Sequence, residues 1–232
     1  MSSVEILLVT TRAPNYLLIG LEIELFFGYA CLMARGRPRE FDESTALEQA
    51  MSAFWRHGYD AVSIDDLQDA TGLARQSLYR TFGDKRTLFL RALDLYGEQM
   101  IGPVVAELNS DGRAIDNIHR VFRMWEAGAT LPDGPGCMMV NTCSQFLDAD
   151  EDVTALVLKH QGGIASAFQD ALKRAQDEGD VDPAINARGM GRTLACVVGG
   201  LMGLARMGAS TAFTRDVLRT LRDTIRVREP AR

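Results

Sequence analysis

Cysteine and histidine are scarce in this 232-residue chain, at four and three residues. Cys31, Cys137, Cys143 and Cys196 lie far apart and no pair has C-x-x-C spacing. That argues against a zinc site or a disulfide framework and suits a reducing, cytoplasmic setting. No G-x-S-x-G, no phosphate-binding glycine loop and no nucleophile–base pair of recognisable spacing is present, so no catalytic residue, metal or cofactor is assigned and the chain is not read as an enzyme. Nor does any segment alternate with the period of a strand. Positive charge is in deficit, with a net charge of −6 and a pI of about 5.2. Non-specific attraction to nucleic acid is therefore disfavoured, although a local basic patch suffices for a DNA contact.

Helical periodicity is what the sequence does contain. Ala46, Leu47, Ala50, Met51 and Phe54 form a first stripe, ended by Gly58. Ser63 is an N-cap followed by Asp65 and Asp66, which complement the helix dipole, and this short helix stops at Gly72. A third helix spans about Ala74 to Phe82. A fourth starts after Asp84 and runs to about Met100, with a weak boundary at Gly102-Pro103. Beyond it, Ile115, Ile118, Phe122 and Trp125 form one stripe, and Leu131 to Gly136 is a turn-rich loop. A helix resumes over Cys137–Leu147. A long stripe then runs from Val153 to Leu172, with a bend expected at Gly162-Gly163, before an apolar helix and a last amphipathic one over Thr211–Val227. The expected fold is all-α: an N-terminal three-helix helix-turn-helix domain over 34–101, and a C-terminal helical ligand and dimerisation bundle over 102–232.

Residues 1–33 differ in character from the rest of the chain. Tyr16 to Met33 is strongly apolar, but Glu22 and Glu24 fall mid-span, where a transmembrane helix tolerates them poorly. Met33 opens MARGRPREFDE, a plausible start, so the segment is read as an extension from a mis-assigned start, with an accessory helix as the alternative.

Two short helices joined by a tight glycine turn make a helix-turn-helix, whose second helix enters the major groove. In ARQSLYRTF, Leu78 and Phe82 are four apart and pack inward. Arg75, Gln76, Ser77, Tyr79 and Arg80 face outward, where arginine pairs with guanine and glutamine with adenine. Ser63 and Lys85 sit at helix N-termini suited to phosphate. Arg35, Arg37 and Arg39 form an arm able to reach a neighbouring groove. The competing reading is a solvated polar face on an ordinary bundle.

Ala46, Phe54, Gly58, Tyr59, Ser63, Ile64, Leu67, Gly72, Leu73, Ser77, Leu78, Tyr79, Phe82, Lys85 and Leu88 resemble, at their spacing, the DNA-binding domain of the tetracycline-repressor (TetR) family. The family often has an aromatic where Thr81 stands, a position of phosphate or base contact, and a proline where Gly83 stands. Gly136 to Thr142, GCMMVNT, is similar to the ligand domain of one subset. The resemblance implies a homodimeric regulator, usually a repressor. It implies a palindromic double-stranded DNA operator, a small-molecule effector that releases it, and pairing of the last two helices in a four-helix bundle, with no membrane partner. Leu194 to Gly208 fits such pairing, being apolar around most of its circumference, with Gly199, Gly200 and Gly203 permitting close approach.

Met124, Trp125, Met138, Met139, Phe146 and Phe168 are candidates for an apolar ligand cavity, against the plainer reading of core. Cys137, opening a helix after a Pro-Gly loop, is a candidate thiol sensor, against an inert buried cysteine. His57 reads as a cap or phosphate contact, and His119 and His160 as surface residues. The alternatives to a regulator are a helical small-molecule-binding protein or enzyme using the C-terminal cavity, which lacks a catalytic constellation, and a membrane-tethered protein using the N-terminal run.

Overall fold

The computed structural model describes residues 42–130, 134–146 and 150–226. The N-terminal extension and the arm with Arg35, Arg37 and Arg39 lie outside them. The chain divides into one unit over Met1–Phe41 and another over Asp42–Arg232; every described helix belongs to the second.

Among the described residues, ten α-helices and one wide turn run in this order: α1 Glu43–His57, α2 Ile64–Thr71, α3 Arg75–Phe82, α4 Lys85–Tyr96, a π-helical turn Gly97–Ile101, α5 Gly102–Leu108, α6 Ala114–Ala129, α7 Met138–Cys143, α8 Glu151–Asp177, α9 Ala187–Arg206 and α10 Thr211–Ile225. The sole β feature among them is an isolated bridge between Val181 and Arg226. No helix among the described residues is long and apolar enough to cross a membrane. The all-α expectation holds.

The helix starts are set by their caps. Asp42 accepts from Ser44 N at 3.0 Å, Ser63 from Asp66 N at 3.1 Å, Asp84 from Thr87 N at 2.7 Å and Asp150 from Val153 N at 3.1 Å. Each satisfies a donor that the first turn leaves unpaired. Gly72 ends α2 at φ +66° with nothing near the position of a Cβ. Its absent side chain thus serves the left-handed backbone rather than packing.

Two expectations are corrected. Gly102-Pro103 is no break: the helix runs on through the wide turn, and Pro103 sits in the first turn of α5, where its missing N–H is harmless. The helix expected over Cys137–Leu147 is only Met138–Cys143. α8 is continuous over 27 residues and runs through Gly162-Gly163. The buried stripe continues across the wide turn, from Phe89, Leu93, Tyr96 and Gly97 to Ile101, then Val104 and Leu108.

In the C-terminal bundle the most extensive pairing is α8 against α9. Gly191 allows it, since a Cβ there would lie 2.6 Å from Ala165 O and 2.9 Å from Gln169 N. Of the three glycines expected at a close approach, Gly199 faces inward onto Val140, whereas Gly200 and Gly203 open outward.

His160 is not a surface residue. It is buried, its Nε2 is 2.7 Å from Asp94 Oδ1, and its ring fills the space a side chain on Gly97 would need. His119 is half-buried as well, with Nε2 enclosed; burial first, then Arg222 and Arg226, lowers its pKa. Desolvation would raise the Asp94 pKa, but hydrogen bonds from Lys159 and His160 outweigh it and hold the carboxyl below its ordinary value. A depressed carboxylate pKa contributes stability that is complete above the unfolded value of about 4. That contribution is lost as pH falls through the lower folded value. Asp94→Asn should therefore be less stable than wild type near neutrality, and the gap should close in acid. Urea midpoints measured from pH 7 to pH 3 check this; a gap independent of pH would contradict it.

Candidate nucleic-acid interface

The candidate interface rests on α1 to α4. Phe54, Val62, Leu67, Leu78, Phe82 and Leu88 are all buried, so α2 and α3 are held by an apolar centre rather than by their own length. At eight residues each they would be marginal alone. Leu78 and Phe82 face that centre at 3% exposure, as their spacing predicts. Arg75, Gln76, Tyr79 and Arg80 are exposed, and Ser77 and Thr81 are half-buried. The Arg75 guanidinium lies 5.7 Å from the Tyr79 ring centroid, within cation–π range, which orders both side chains on the outer face.

Ser63 and Lys85 are less free than their helix-terminal positions suggest. The Ser63 hydroxyl is 2.6 Å from Asp66 Oδ2, and the same oxygen accepts from Ser63 N at 2.7 Å. This reciprocal capping box lowers the Asp66 pKa, the Ser63 hydroxyl being the main cause. Lys85 Nζ sits 4.4 Å from the centroid of Tyr59 and is half-buried. Arg37 falls outside the described residues. His57 is exposed at the last position of α1.

Gln68 is a component that sequence reasoning missed. Ala74 offers α3 no side-chain cap. Instead Gln68 Oε1, from α2, accepts from Arg75 N at 2.9 Å. The turn geometry brings the amide there; no local pattern announces it.

Electrostatics favour one face. Nine carboxylates and six Lys or Arg residues lie from Asp42 to Tyr96, so α1 to α4 taken together do not attract a polyanion. Arg86 is bound by Asp150 and Asp152, at 2.7 Å to each, and Arg91 by Glu43 at 2.6 Å. The segment Arg75–Phe82 contains two arginines and no acid. The two arginines of α3 are therefore not offset by an acid on the same helix.

Residues 46–92 match the family described as bacterial regulatory proteins, tetR family, and residues 114–221 match a tetracyclin repressor-like C-terminal domain. The HTH-type transcriptional repressor ComR of Escherichia coli (strain K12) is 31% identical over 179 residues, 76% of this chain and 85% of the relative. The chain belongs to the TetR family. Another relative, the HTH-type transcriptional repressor AcnR of Corynebacterium glutamicum, is 29% identical over 185 residues, 79% of this chain and 92% of that protein. Among solved structures, the TetR family regulator CifR, a cysteine mutant complexed with 26bp double-strand operator DNA, superposes with a TM-score of 0.72 at 27% identity. It covers 82% of this chain and 100% of its own.

In this TetR-family chain the six candidate pocket residues are not gathered into one ring. Trp125 and Phe168 meet at 5.2 Å between centroids, with Phe122 against both. Met138 and Met139 are buried, and Met124 is half-buried. Phe146 packs elsewhere, 5.1 Å from Tyr59 and 5.4 Å from Phe89, on the side of the DNA-reading helices. Cys137 is half-buried at the start of α7. Burial drives the pKa of the Tyr96 hydroxyl well up, and Cys137 beside it adds to the shift.

Proposed function

We propose that the protein is a cytoplasmic, homodimeric transcriptional repressor that binds a palindromic double-stranded operator and is released by a small molecule. The carrying observation is α3: Arg75, Gln76, Tyr79 and Arg80 project from a helix without acids, held by a helix-turn-helix core. DNA readout is assigned to residues 34–101, with Arg37, Ser63, Ser77, Thr81 and Lys85 as further contacts. Effector binding and dimerisation are assigned to residues 102–232. The named repressors and the operator-bound relative support this reading. Leu204, Met207 and Phe213, exposed where α9 meets α10, support pairing through the last two helices. A two-fold protein matches a palindromic site. Trp125 and Phe168 are the core of the effector region, and Cys137 is the thiol through which an electrophile or oxidant would act.

Fluorescence anisotropy of the protein on duplexes from upstream of its own gene, across salt concentrations, tests the reading. Expected is selective binding whose log affinity falls with log salt by about 0.9 per phosphate contact. Arg75→Ala should cost about 1–3 kcal/mol on the selected duplex and relax preference at one base pair. Equal affinity for every duplex, with the wild type and variant alike, would sink it.

A further inference from the structure

The carboxyl end of α1 is tied to segments far away in sequence. Trp55 Nε1 donates to Gly136 O at 2.9 Å, and Tyr59 N donates to Gln145 Oε1 at 2.6 Å. The third tie is Arg206, the last residue of α9. Its Nη2 donates to Arg56 O at 3.2 Å and its Nη1 to Pro135 O at 3.2 Å. One planar guanidinium thus joins three elements: the end of α9, the loop before α7 and the last turn of α1. A helix C-terminus presents carbonyls without intrahelical partners and a partial negative charge, so a cation there is favoured. Arginine suits the position because its rigid fork reaches two acceptors at once; an ammonium is a point charge without that geometry. The stem of this exposed arginine also approaches the loop closely: a Cβ on Gly136 would lie 3.3 Å from Arg206 Cβ and 3.1 Å from Met202 O. The end of α9 does not need Arg206 for its own capping, since Met207 N bonds Gly203 O and Leu204 O.

We propose that Arg206 is a positioning residue for operator recognition, a role that rests on the protein being a DNA-binding regulator. It fastens α1, the first helix of the DNA-reading domain, directly to α9, one of the two helices assigned to dimerisation. The orientation of each reading helix is then referred to the dimer interface by one side chain, in addition to the joint through α4 and α5. Arg206 lies on α9, outside the helix-turn-helix. Its effect is on which separation of half-sites the dimer accepts.

The test uses the full chain and a palindromic duplex selected from random DNA by the wild-type protein, together with duplexes whose half-sites are one base pair closer or farther. Arg206→Met keeps the stem and removes the donors; Arg206→Lys keeps the charge. The wild type should favour the selected spacing strongly. Arg206→Met should bind that spacing roughly ten-fold more weakly while losing much less on the altered spacings, and Arg206→Lys should recover part of the discrimination. Amide exchange at Gly58 and Tyr59 should also accelerate in Arg206→Met. Unchanged spacing preference with unchanged exchange overturns the proposal. Equal losses on every spacing also overturn it, because they indicate a general phosphate contact or lost stability. If the wild type selects no duplex, the regulator reading fails; exchange at Gly58 and Tyr59 then still tests the clamp by itself.

Discussion

Phe89→Ala is expected to cost about 3–5 kcal/mol of folding stability, the usual toll for removing a buried phenyl ring. Phe89 is 1% exposed, and its ring lies 5.2 Å from Phe54, 4.9 Å from Tyr59 and 5.4 Å from Phe146. Three of these four rings belong to the helix-turn-helix segment, while Phe146 arrives from just beyond α7. The ring is therefore both the centre of the reading head and its joint to the bundle. A loss of this size is a large fraction of the roughly 5–15 kcal/mol available to a folded domain. The variant should fold marginally and bind any selected duplex poorly at ambient temperature. Phe89→Leu, which retains much of the volume, should lose far less. Urea titration followed by tyrosine and tryptophan fluorescence measures both. A loss below about 1 kcal/mol in the alanine variant would show that the four rings are not a packed unit, since cavity costs fall that low only where the site can collapse.

The second large effect has an unexpected sign. Replacing a mid-helix glycine with alanine ordinarily stabilises by about 0.5–1 kcal/mol, because glycine loses more backbone freedom on folding. Gly191→Ala should do the reverse. The new methyl would stand 2.6 Å from Ala165 O and 2.9 Å from Gln169 N. Both are main-chain atoms of α8, which cannot swing aside as a side chain would, so α8 and α9 must part. Overpacking of this kind costs about 1–3 kcal/mol. Gly162 is the matched control: it lies within α8, is exposed, and has nothing within 4 Å of a new Cβ. Gly162→Ala should raise the melting temperature while Gly191→Ala lowers it. Two shifts in the same upward direction would refute the close approach of α8 and α9.

These residues also show how far the sequence could be read. Longer helices such as α1, α6 and α8 were legible because they carry apolar stripes of the right period, and Leu78 and Phe82 fix which face of α3 is left for a partner. The glycines were legible only as small residues. That Gly191 touches backbone while Gly162 touches nothing depends on which helix lies opposite. His160 was misread because its polarity outweighed its position. It stands four residues before Ile164 and eight before Phe168, on the stripe that faces inward, and Asp94 supplies the partner that makes its burial tolerable. The joints were hidden for another reason. Trp55 to Gly136, Tyr59 to Gln145 and Arg206 to Arg56 span 81, 86 and 150 positions, and nothing in the local pattern around either end records such a contact. Gln68 capping α3 was equally silent, because a cap donated by another helix leaves no motif.

The wide turn at Gly97–Ile101 has a consequence for rotation. Each residue of an α-helix advances the side chains by about 100°. The wide turn takes up one such step between α4 and α5, so that Tyr96 and Ile101, five positions apart, both face the core, with Gly97 buried between them. The turn therefore works like a spline set between two shafts: everything before it is indexed by a fixed angle relative to everything after it. A relative lacking the extra residue would need its C-terminal apolar stripe moved one place along the sequence to present the reading helices at the same azimuth. In this chain that azimuth is written into the count of residues between two buried side chains, with the ring of His160 wedged against Gly97 where the count is made.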